Sequence, residues 1–295
     1  MTEPIFIAGP TASGKSDVAV AVAEHLGGEI VGADAFQVYR GLDLLTAKPD
    51  AATLARVPHH LIGEIPLSET FDVALYRTLA EARIADIASR NRVPVIVGGT
   101  GLYMRALTHG LAELPPADPA LRAQLEARAL DDLVAELDRL DPTAQLDRKN
   151  PRRVLRALEV CLLTGKPFSS FREQARPARA FRGVLLTRER AGLYSRINQR
   201  TEQMFAAGVV DEVRAVGEIS ATTAQAIGLR EIKALLRGEL TEPESIASIQ
   251  QQTRNYARRQ LTWFRRETHF TPLLVADGES SEAIAARLLA SISAR

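Results

Sequence analysis

The chain lacks the cysteines, the net charge and the long apolar runs that would point to several classes of protein. Cys161 is the single cysteine among 295 residues, so no intramolecular disulfide and no cysteine-based zinc site can form, which fits a reducing compartment. Lys and Arg number 37 against 36 Asp and Glu, a net charge of +1, so any nucleic-acid binding must come from local clusters of cations. We find neither a membrane-length apolar run nor a signal peptide, and we expect a cytoplasmic protein without membrane contact.

One stretch matches the phosphate-binding loop pattern G-x-x-x-x-G-K-[ST] in full. It consists of Gly9, Pro10, Thr11, Ala12, Ser13, Gly14, Lys15 and Ser16. The glycines let backbone N–H groups point into one concavity, Lys15 adds a charge for the terminal phosphates, and Ser16 offers a hydroxyl to Mg²⁺. An apolar run precedes the loop and an Ala- and Val-rich helical stretch follows it, which is the context that this motif requires. The loop predicts a diphosphate or triphosphate site and does not by itself indicate ATP.

The order of apolar runs and helical stretches predicts an α/β fold with a P-loop NTPase-like parallel sheet. Strands are expected at 4–8, 29–33, 94–97, 183–187 and 273–276, and long helices at 17–26, 71–90, 190–207, 241–267 and 281–293. Between 111 and 181 the sequence changes to Leu- and Ala-rich helices opened by Asp118-Pro119, Asp141-Pro142 and Asn150-Pro151, each a good N-cap before a proline. We interpret 111–181 as an inserted all-helical domain between the two parts of the core, 1–110 and 182–295.

Two strand ends carry candidate chemistry. Asp34 follows the second strand, at the edge where ligands bind in open α/β sheets. Beside a phosphate site, its carboxylate would be either a Mg²⁺ ligand, usually through water, or a general base. The third strand ends in Gly98-Gly99-Thr100, where a phosphate-loop NTPase often has an acidic metal ligand. This leaves two interpretations open: a second ligand beside the Thr100 hydroxyl, or a tight turn that needs small residues.

Two clusters of arginine stand out against the near-zero net charge. Arg152, Arg153 and Arg156 fall on the first turns of a predicted helix, where cations oppose the helix dipole and indicate an external anion. A second cluster follows the long helix, with Tyr256 and Trp263 interleaved, and consists of Arg254, Arg258, Arg259, Arg265 and Arg266. Arginines with aromatic residues on one helix suit RNA, whose phosphates are neutralised and whose unstacked bases are gripped.

Taken in order, these motifs resemble those of the bacterial tRNA isopentenyltransferases, the tRNA dimethylallyltransferase family. The shared elements are the phosphate loop at 9–16, Asp34 with Gln37-Val38-Tyr39, Thr46-Ala47-Lys48-Pro49, Pro58-His59-His60, Val97-Gly98-Gly99-Thr100-Gly101-Leu102-Tyr103, Arg156-Ala157-Leu158-Glu159-Val160, Thr164-Gly165-Lys166-Pro167, Arg196-Ile197-Asn198-Gln199-Arg200, Ala226-Ile227-Gly228, and Gln252-Thr253-Arg254 through Arg259-Gln260-Leu261-Thr262-Trp263-Phe264. The phosphate loop alone is unspecific, whereas the ordered set runs through nearly the whole chain and is highly specific.

The resemblance implies transfer of the dimethylallyl group from dimethylallyl diphosphate to N6 of adenosine at tRNA position 37, giving N6-isopentenyladenosine and diphosphate. It implies that the loop and Mg²⁺ hold the diphosphate, with Ser16 as metal ligand. Catalytic roles then fall on Asp34, as general base, and on Lys15, Thr100 and Arg200. The implied tRNA contacts are Asp34, Ala35, Phe36, Gln37, Thr100, Arg122, Arg152, Arg153, Val154, Leu155 and Arg156. The expected partners are the tRNA anticodon stem-loop and the prenyl donor, and the expected state is a monomer.

The sequence departs from the family pattern at three places. Ala35 stands where the family usually has Ser, Asn150 is followed directly by proline, and Leu229 follows Gly228 in place of a frequent Tyr. None of these departures changes Lys15, Asp34 or Thr100 itself. Three other functions stay open on the residues alone: prenylation of a free adenine nucleotide, ATP-dependent phosphotransfer to a small molecule, and non-catalytic RNA binding by an NTPase-like module.

Overall fold

The structure is a computed structural model that describes residues 3–172 and 181–293. Residues 1–2, 173–180 and 294–295, which belong to the predicted core and insertion segments, lie outside this description. The described chain contains a six-stranded sheet with the order β3-β2-β4-β1-β5-β6. The strands are β1 (Ile5–Ala8), β2 (Glu29–Gly32), β3 (His59–His60), β4 (Pro94–Gly98), β5 (Arg182–Thr187) and β6 (Phe270–Leu274). Every neighbouring pair is parallel, which confirms the predicted class of sheet.

The helices that accompany the sheet connect its parallel strands and continue after them. They are α1 (Lys15–Leu26), α2 (Ala51–Arg56), α3 (Val73–Ser89), α4 (Gly101–Thr108), α9 (Arg190–Ala206), α10 (Val209–Arg214), α11 (Leu229–Leu236), α12 (Glu242–Phe264) and α13 (Ser281–Ser293), with a 3₁₀ turn at Thr223–Gln225. The predicted capping box at the start of α12 is confirmed, since Thr241 and Glu244 satisfy each other's backbone N–H groups. The last strand begins three residues earlier than predicted, at Phe270, and α12 ends at Phe264 rather than near 267.

Two apolar layers cover the faces of the sheet, as the alternation within β1 requires. Ile5 and Ile7 pack with α1 and α13 on one face, and Phe6 and Ala8 pack with α3 and α4 on the other. Successive side chains of a strand point to opposite faces, so a strand covered on both faces is apolar throughout. The central position of β1 places the loop that follows it at the middle of the carboxyl edge of the sheet.

The remaining helices form a separate cluster with its own apolar core. They are α5 (Pro119–Glu126), α6 (Leu130–Leu140), α7 (Pro151–Thr164) and α8 (Ser169–Arg172). The caps predicted at Asp118 and Asn150 are confirmed, because their side chains accept hydrogen bonds from the N–H groups of Leu121 and Arg153. The cap predicted at Asp141 is wrong: this residue ends α6, and its buried carboxylate accepts hydrogen bonds from the N–H and hydroxyl of Ser169 instead.

The chain divides into two compact units, one of residues 1–108 with 180–295 and one of residues 109–179. The first contains the sheet and is called the α/β unit below, and the second is called the helical unit. The predicted domain boundaries, after residues 110 and 181, stay predictions.

Candidate active site

The phosphate loop joins β1 to α1, and its shape depends on close packing around its first glycine. A Cβ atom at Gly9 would lie 2.7 Å from the Ser13 hydroxyl and 3.0 Å from the Leu186 carbonyl. Ala12 and Gly14 both have positive φ angles, of 63° and 90°, a conformation that reverses the backbone and gathers N–H groups on one side. The Ser13 hydroxyl is buried and has no hydrogen-bond partner among the described residues.

Two arginines hold the outward-facing carbonyls of the loop. Arg188 donates from Nε to the Ser13 carbonyl at 3.0 Å, and Arg196 donates from Nε to the Ala12 carbonyl at 2.9 Å. These two cations thus neutralise the partial negative charges of the loop carbonyls. The sequence analysis gave neither arginine a role, although Arg196 lies four residues before Arg200 on a predicted helix and therefore shares its face.

Lys15 and Arg200 are the two cations that border the inside of the loop. The ammonium of Lys15 donates to the Pro10 carbonyl at 3.3 Å, and Arg200 donates to the Thr11 hydroxyl at 2.5 Å. Burial lowers the pKa of Lys15 to about 8; the charge of Asp34 raises this pKa and that of Arg200 lowers it. Burial also lowers the pKa of Arg200, while Asp34 raises it. Burial disfavours the charged form of both cations, and an anionic ligand beside them would stabilise that form.

Asp34 lies at the end of β2 and faces the same cavity as Lys15 and Arg200. One of its oxygens accepts hydrogen bonds from the N–H groups of Phe36 at 3.0 Å and Gln37 at 3.3 Å, which fixes the carboxylate in a local turn. The structure therefore brings together three of the four residues with an implied catalytic role around one space. This space has a volume of about 460 Å³.

Thr100, the fourth, contacts the same element from the end of β4. Its hydroxyl accepts a hydrogen bond from the Ala35 N–H at 3.1 Å, next to Asp34. The side-chain amide of Gln37 is already engaged, because Nε2 donates to the carbonyls of Thr46 at 3.1 Å and Ala47 at 2.9 Å. The 34–37 element is thus tied on one side to the β4 turn and on the other to the loop that follows it.

The cavity has a mixed lining, with charged groups at the phosphate loop and an apolar patch among further polar residues such as Lys48 and Gln203. Its polar lining includes Lys15, Ser16 and Arg200, and its apolar lining includes Phe36, Leu45, Met204, Ile227 and Ile249. A ligand that combines a strongly charged group with a small apolar group matches this lining on both sides.

The glycines after β4 are required by packing. A Cβ atom would lie 2.1 Å from the Ala33 carbonyl at Gly98, 2.2 Å from the Gln260 amide nitrogen at Gly99, and 2.2 Å from the Trp263 ring at Gly101. The side chains of Gln260 and Trp263 both come from α12. A tight turn that needs small residues, one of the two open interpretations, is therefore sufficient to explain this sequence, and it also excludes an acidic side chain at 99 or 101.

The oxygen atoms around the loop fit a Mg²⁺ site that is completed by a bound phosphate group better than a site formed by protein ligands alone. The Ser16 hydroxyl and the Asp34 carboxylate border the same cavity, and hydroxyl and carboxylate oxygens are ligands that Mg²⁺ takes. No group of three or more His, Cys, Asp or Glu residues within 3–172 and 181–293 is arranged to hold a metal. A Mg²⁺ ion here would need oxygens from a bound phosphate group, which is its usual manner of binding.

The implied tRNA contacts on α7 differ in their exposure. Arg152 and Arg153 are exposed on the first turn, whereas Val154 is fully buried in the helical core. The periodicity of the helix turns the Val154 side chain inward, so only its backbone is left for the tRNA contact implied at this position, which stays a prediction. Leu155 is partly buried and packs against the same core.

Arg122 and Arg156 meet at a carboxylate that the sequence analysis did not single out as functional. Both donate to the same oxygen of Glu159, at 2.7 and 2.6 Å, and the Asp118 N–H donates to the other at 3.1 Å. Burial raises the pKa of Glu159, but the hydrogen bonds from Arg156 and Arg122 outweigh burial and leave it below 4.5. The two arginines retain 37% and 28% exposure, so each can still meet an external anion.

The second arginine cluster is only partly as predicted. Arg258, Arg259, Arg265 and Arg266 are exposed along α12. Of the two aromatic residues expected to interleave with them, Tyr256 lies under the Arg259 guanidinium, 5.7 Å from ring centroid to Cζ, and borders the cavity, while Trp263 packs on Gly101. The grip on RNA bases by this helix stays a prediction.

The fold and the site define a P-loop α/β protein whose phosphate loop opens onto a mixed polar and apolar cavity. A family model described as IPP transferase matches residues 37–267. A tRNA dimethylallyltransferase of Citrifermentans bemidjiense is 47% identical over 274 residues, which is 89% of each chain. The chain belongs to the IPP transferase family, and the P-loop NTPase-like core predicted from sequence is confirmed.

Solved structures agree with this assignment. The crystal structure of a full-length tRNA isopentenylpyrophosphate transferase from Bacillus halodurans aligns with a TM-score of 0.74 and 37% identity, over 99% of this chain and 96% of that one. A tRNA isopentenylpyrophosphate transferase from Staphylococcus epidermidis aligns with a TM-score of 0.72 and 30% identity, over 99% and 100%. In the part of the chain that the structure describes, no helix combines the length and the apolar character needed to cross a membrane.

Proposed function

We propose that this chain is a tRNA dimethylallyltransferase, which moves the dimethylallyl group of dimethylallyl diphosphate to N6 of adenosine at tRNA position 37. The observation that carries the proposal is the cavity in which the partly buried cations Lys15 and Arg200, the carboxylate of Asp34 and an apolar patch occur together. Relatives named tRNA dimethylallyltransferase, at 44–47% identity, support the same reaction.

The chemistry begins with a poor nucleophile, since the exocyclic amine of adenine is weakly basic. Attack of N6 on the allylic carbon forms the C–N bond as the C–O bond to diphosphate breaks, and the electron pair leaves on the diphosphate oxygen. Lys15, Arg200 and the loop N–H groups stabilise the charge that develops there. Mg²⁺ bound between the diphosphate and the Ser16 hydroxyl would supply further charge neutralisation.

Asp34 receives the proton that N6 loses. Its position supports a general base, because hydrogen bonds from backbone N–H groups hold the carboxylate on the wall of the cavity that contains the cations. Thr100 orients this element through the Ala35 N–H. Ala35 itself contributes only its backbone to that contact, so the missing hydroxyl of the usual Ser does not remove it.

The tRNA is bound by cations of the helical unit. Arg152 and Arg153 are free of ion pairs within the described residues and exposed at the start of α7. Such cations neutralise backbone phosphates, while the adenosine leaves its stack to reach the partly buried carboxylate of Asp34. The proposed enzyme acts as a monomer in the cytoplasm, a reducing compartment that fits a chain with a single cysteine.

The testing experiment is a transfer assay with labelled dimethylallyl diphosphate, Mg²⁺ and unmodified tRNA that carries adenosine at position 37. Parallel reactions contain the same tRNA with guanosine at position 37, AMP as acceptor, and labelled ATP with AMP. Label on the adenosine tRNA alone is the expected result. Label on AMP alone would assign the chain to free-nucleotide prenylation, and phosphate transfer from ATP would assign it to phosphotransfer. Either result would refute the proposal.

A further inference from the structure

One buried amide connects the two loops that meet at the proposed reaction centre. Gln260 lies on α12 with 5% exposure. Its Oε1 accepts a hydrogen bond from the Thr11 N–H at 2.9 Å, and its Nε2 donates to the Gly99 carbonyl at 2.9 Å. A single side chain therefore links the phosphate loop to the turn after β4, from a position far along the sequence.

The atoms on either side of this link lead to the leaving group and to the base. On one side, Thr11 also accepts a hydrogen bond from Arg200 through its hydroxyl. On the other, Gly99 is followed by Thr100, whose hydroxyl holds the backbone next to Asp34. Gln260 thus stands at the middle of a series of hydrogen bonds, joined by short stretches of backbone, that runs from Arg200 to the backbone next to Asp34.

The surroundings of Gln260 allow only an amide of this length to make both bonds. A Cβ atom at Gly99 would lie 2.2 Å from Nε2, so the turn is shaped around the amide. A carboxylate accepts from an N–H but cannot donate to a carbonyl, and a thioether donates nothing. The nitrogen of the Thr11 N–H is also withdrawn from phosphate binding by this contact.

We propose that Gln260 is a positioning residue that sets the separation between the prenyl donor and the acceptor adenosine. The inference rests on the proposed function, since it concerns the geometry of that reaction. Gln260 contacts neither substrate in this scheme. Its loss lets the phosphate loop and the β4 turn move independently, and a misplacement of about 1 Å between reacting groups costs about 100-fold in rate.

A looser acceptor position also lets water compete. In that side reaction the water oxygen attacks the allylic carbon, the C–O bond to diphosphate breaks, and a water proton passes to solvent, giving dimethylallyl alcohol and diphosphate. The ratio of alcohol formed to adenosine modified therefore measures alignment. A residue that only supports folding would lower the amount of active enzyme and leave this ratio unchanged.

The test compares the full-length Gln260→Met and Gln260→Glu variants with Gln251→Met, an exposed glutamine on the same helix. Measured quantities are kcat per folded enzyme, KM for donor and tRNA, and the ratio of alcohol to modified tRNA. For both Gln260 variants we expect kcat to fall about 100-fold, KM values to stay within about threefold, and the ratio to rise at least about tenfold. Gln251→Met should match the wild type. Gln260→Glu keeps the size of the side chain, so the ratio can be measured on this variant if Gln260→Met does not fold.

Two results overturn the inference, and they are distinguishable from each other. An active wild type with an unchanged ratio in a folded Gln260 variant refutes the positioning role and leaves the proposed function intact. A wild type that transfers no prenyl group to tRNA refutes the proposed function, and the inference with it.

Discussion

The sharpest prediction concerns Glu159, the fully buried carboxylate of the helical unit. Replacing it by glutamine preserves the shape of the side chain and the acceptor for the Asp118 N–H, but removes the negative charge between Arg122 and Arg156. We expect the helical unit to lose stability while its helices keep their positions.

The magnitude follows from the hydrogen bonds that change. Two charge-assisted bonds are lost, each worth about 1.5 to 3 kcal/mol. Both arginines are about one-third exposed and can recover part of their hydration, which favours the lower end of that range. The expected loss is about 3 kcal/mol in the free energy of unfolding at pH 7. The lowered pKa of Glu159 means that its stabilisation is complete above pH 4.5 and is lost as the pH falls through the lowered pKa.

Hydrogen exchange of the α5 and α7 amides, combined with urea unfolding followed by circular dichroism, measures the loss in the helical unit. Glu136→Gln is a matched control, because Glu136 lies in the same unit and also pairs with two arginines, Arg128 and Arg139, but is partly exposed. That control should lose less than about 1 kcal/mol. Equal losses for the two variants at pH 7 would refute the argument that burial makes the Glu159 contacts strong. So would a Glu159→Gln difference that persists unchanged well below pH 4.5.

The remaining predictions address the reaction, the RNA surface and the β4 turn. Asp34→Asn should lower kcat for prenyl transfer by about 10² to 10⁴ with tRNA affinity nearly unchanged; an equal loss of binding would count against a general base. Replacing Arg152 and Arg153 together by glutamine should reduce the slope of log K for tRNA against log salt by about 1.4 to 1.8, whereas Arg139→Gln should leave the slope unchanged. An unaltered slope in the double variant would remove this surface from tRNA binding. Gly101→Ala should cost about 1 to 3 kcal/mol by overpacking and shift the fluorescence of the only tryptophan; an unshifted spectrum would contradict the close packing.

Much of the fold could be predicted from the sequence because its signals are local. The strand, loop and helix around 9–16, the caps at Asp118 and Asn150, and the capping box at Thr241 each depend on residues within a few positions of one another. Elements without a local signal were missed. Strand β3 has only two residues and no run of apolar residues. It is a strand because it pairs with β2.

The site could be predicted only where its residues carry a motif of their own. Lys15 and Asp34 follow from local patterns, Arg200 follows from the family resemblance, and the structure brings all three to one cavity. The link through Gln260 was missed because its partners lie 249 and 161 positions away in the sequence. The same applies to the inward orientation of Trp263, since helical spacing shows which residues share a face but not which face meets the sheet.

The packing of α12 also explains why the carboxylate of the site lies on β2. Gln260 and Trp263 occupy the space in which side chains at 99 and 101 would extend, so these two positions of the turn after β4 are unfavourable for an acid. The neighbouring strand end is then the nearest position for a carboxylate, and Asp34 lies close enough to raise the pKa of both Lys15 and Arg200. Burial lowers the pKa of these cations more than Asp34 raises it, so a bound anion would stabilise their charged forms. The diphosphate of the proposed donor would be such an anion, and the apolar patch that includes Leu45 and Met204 would contact its short hydrocarbon.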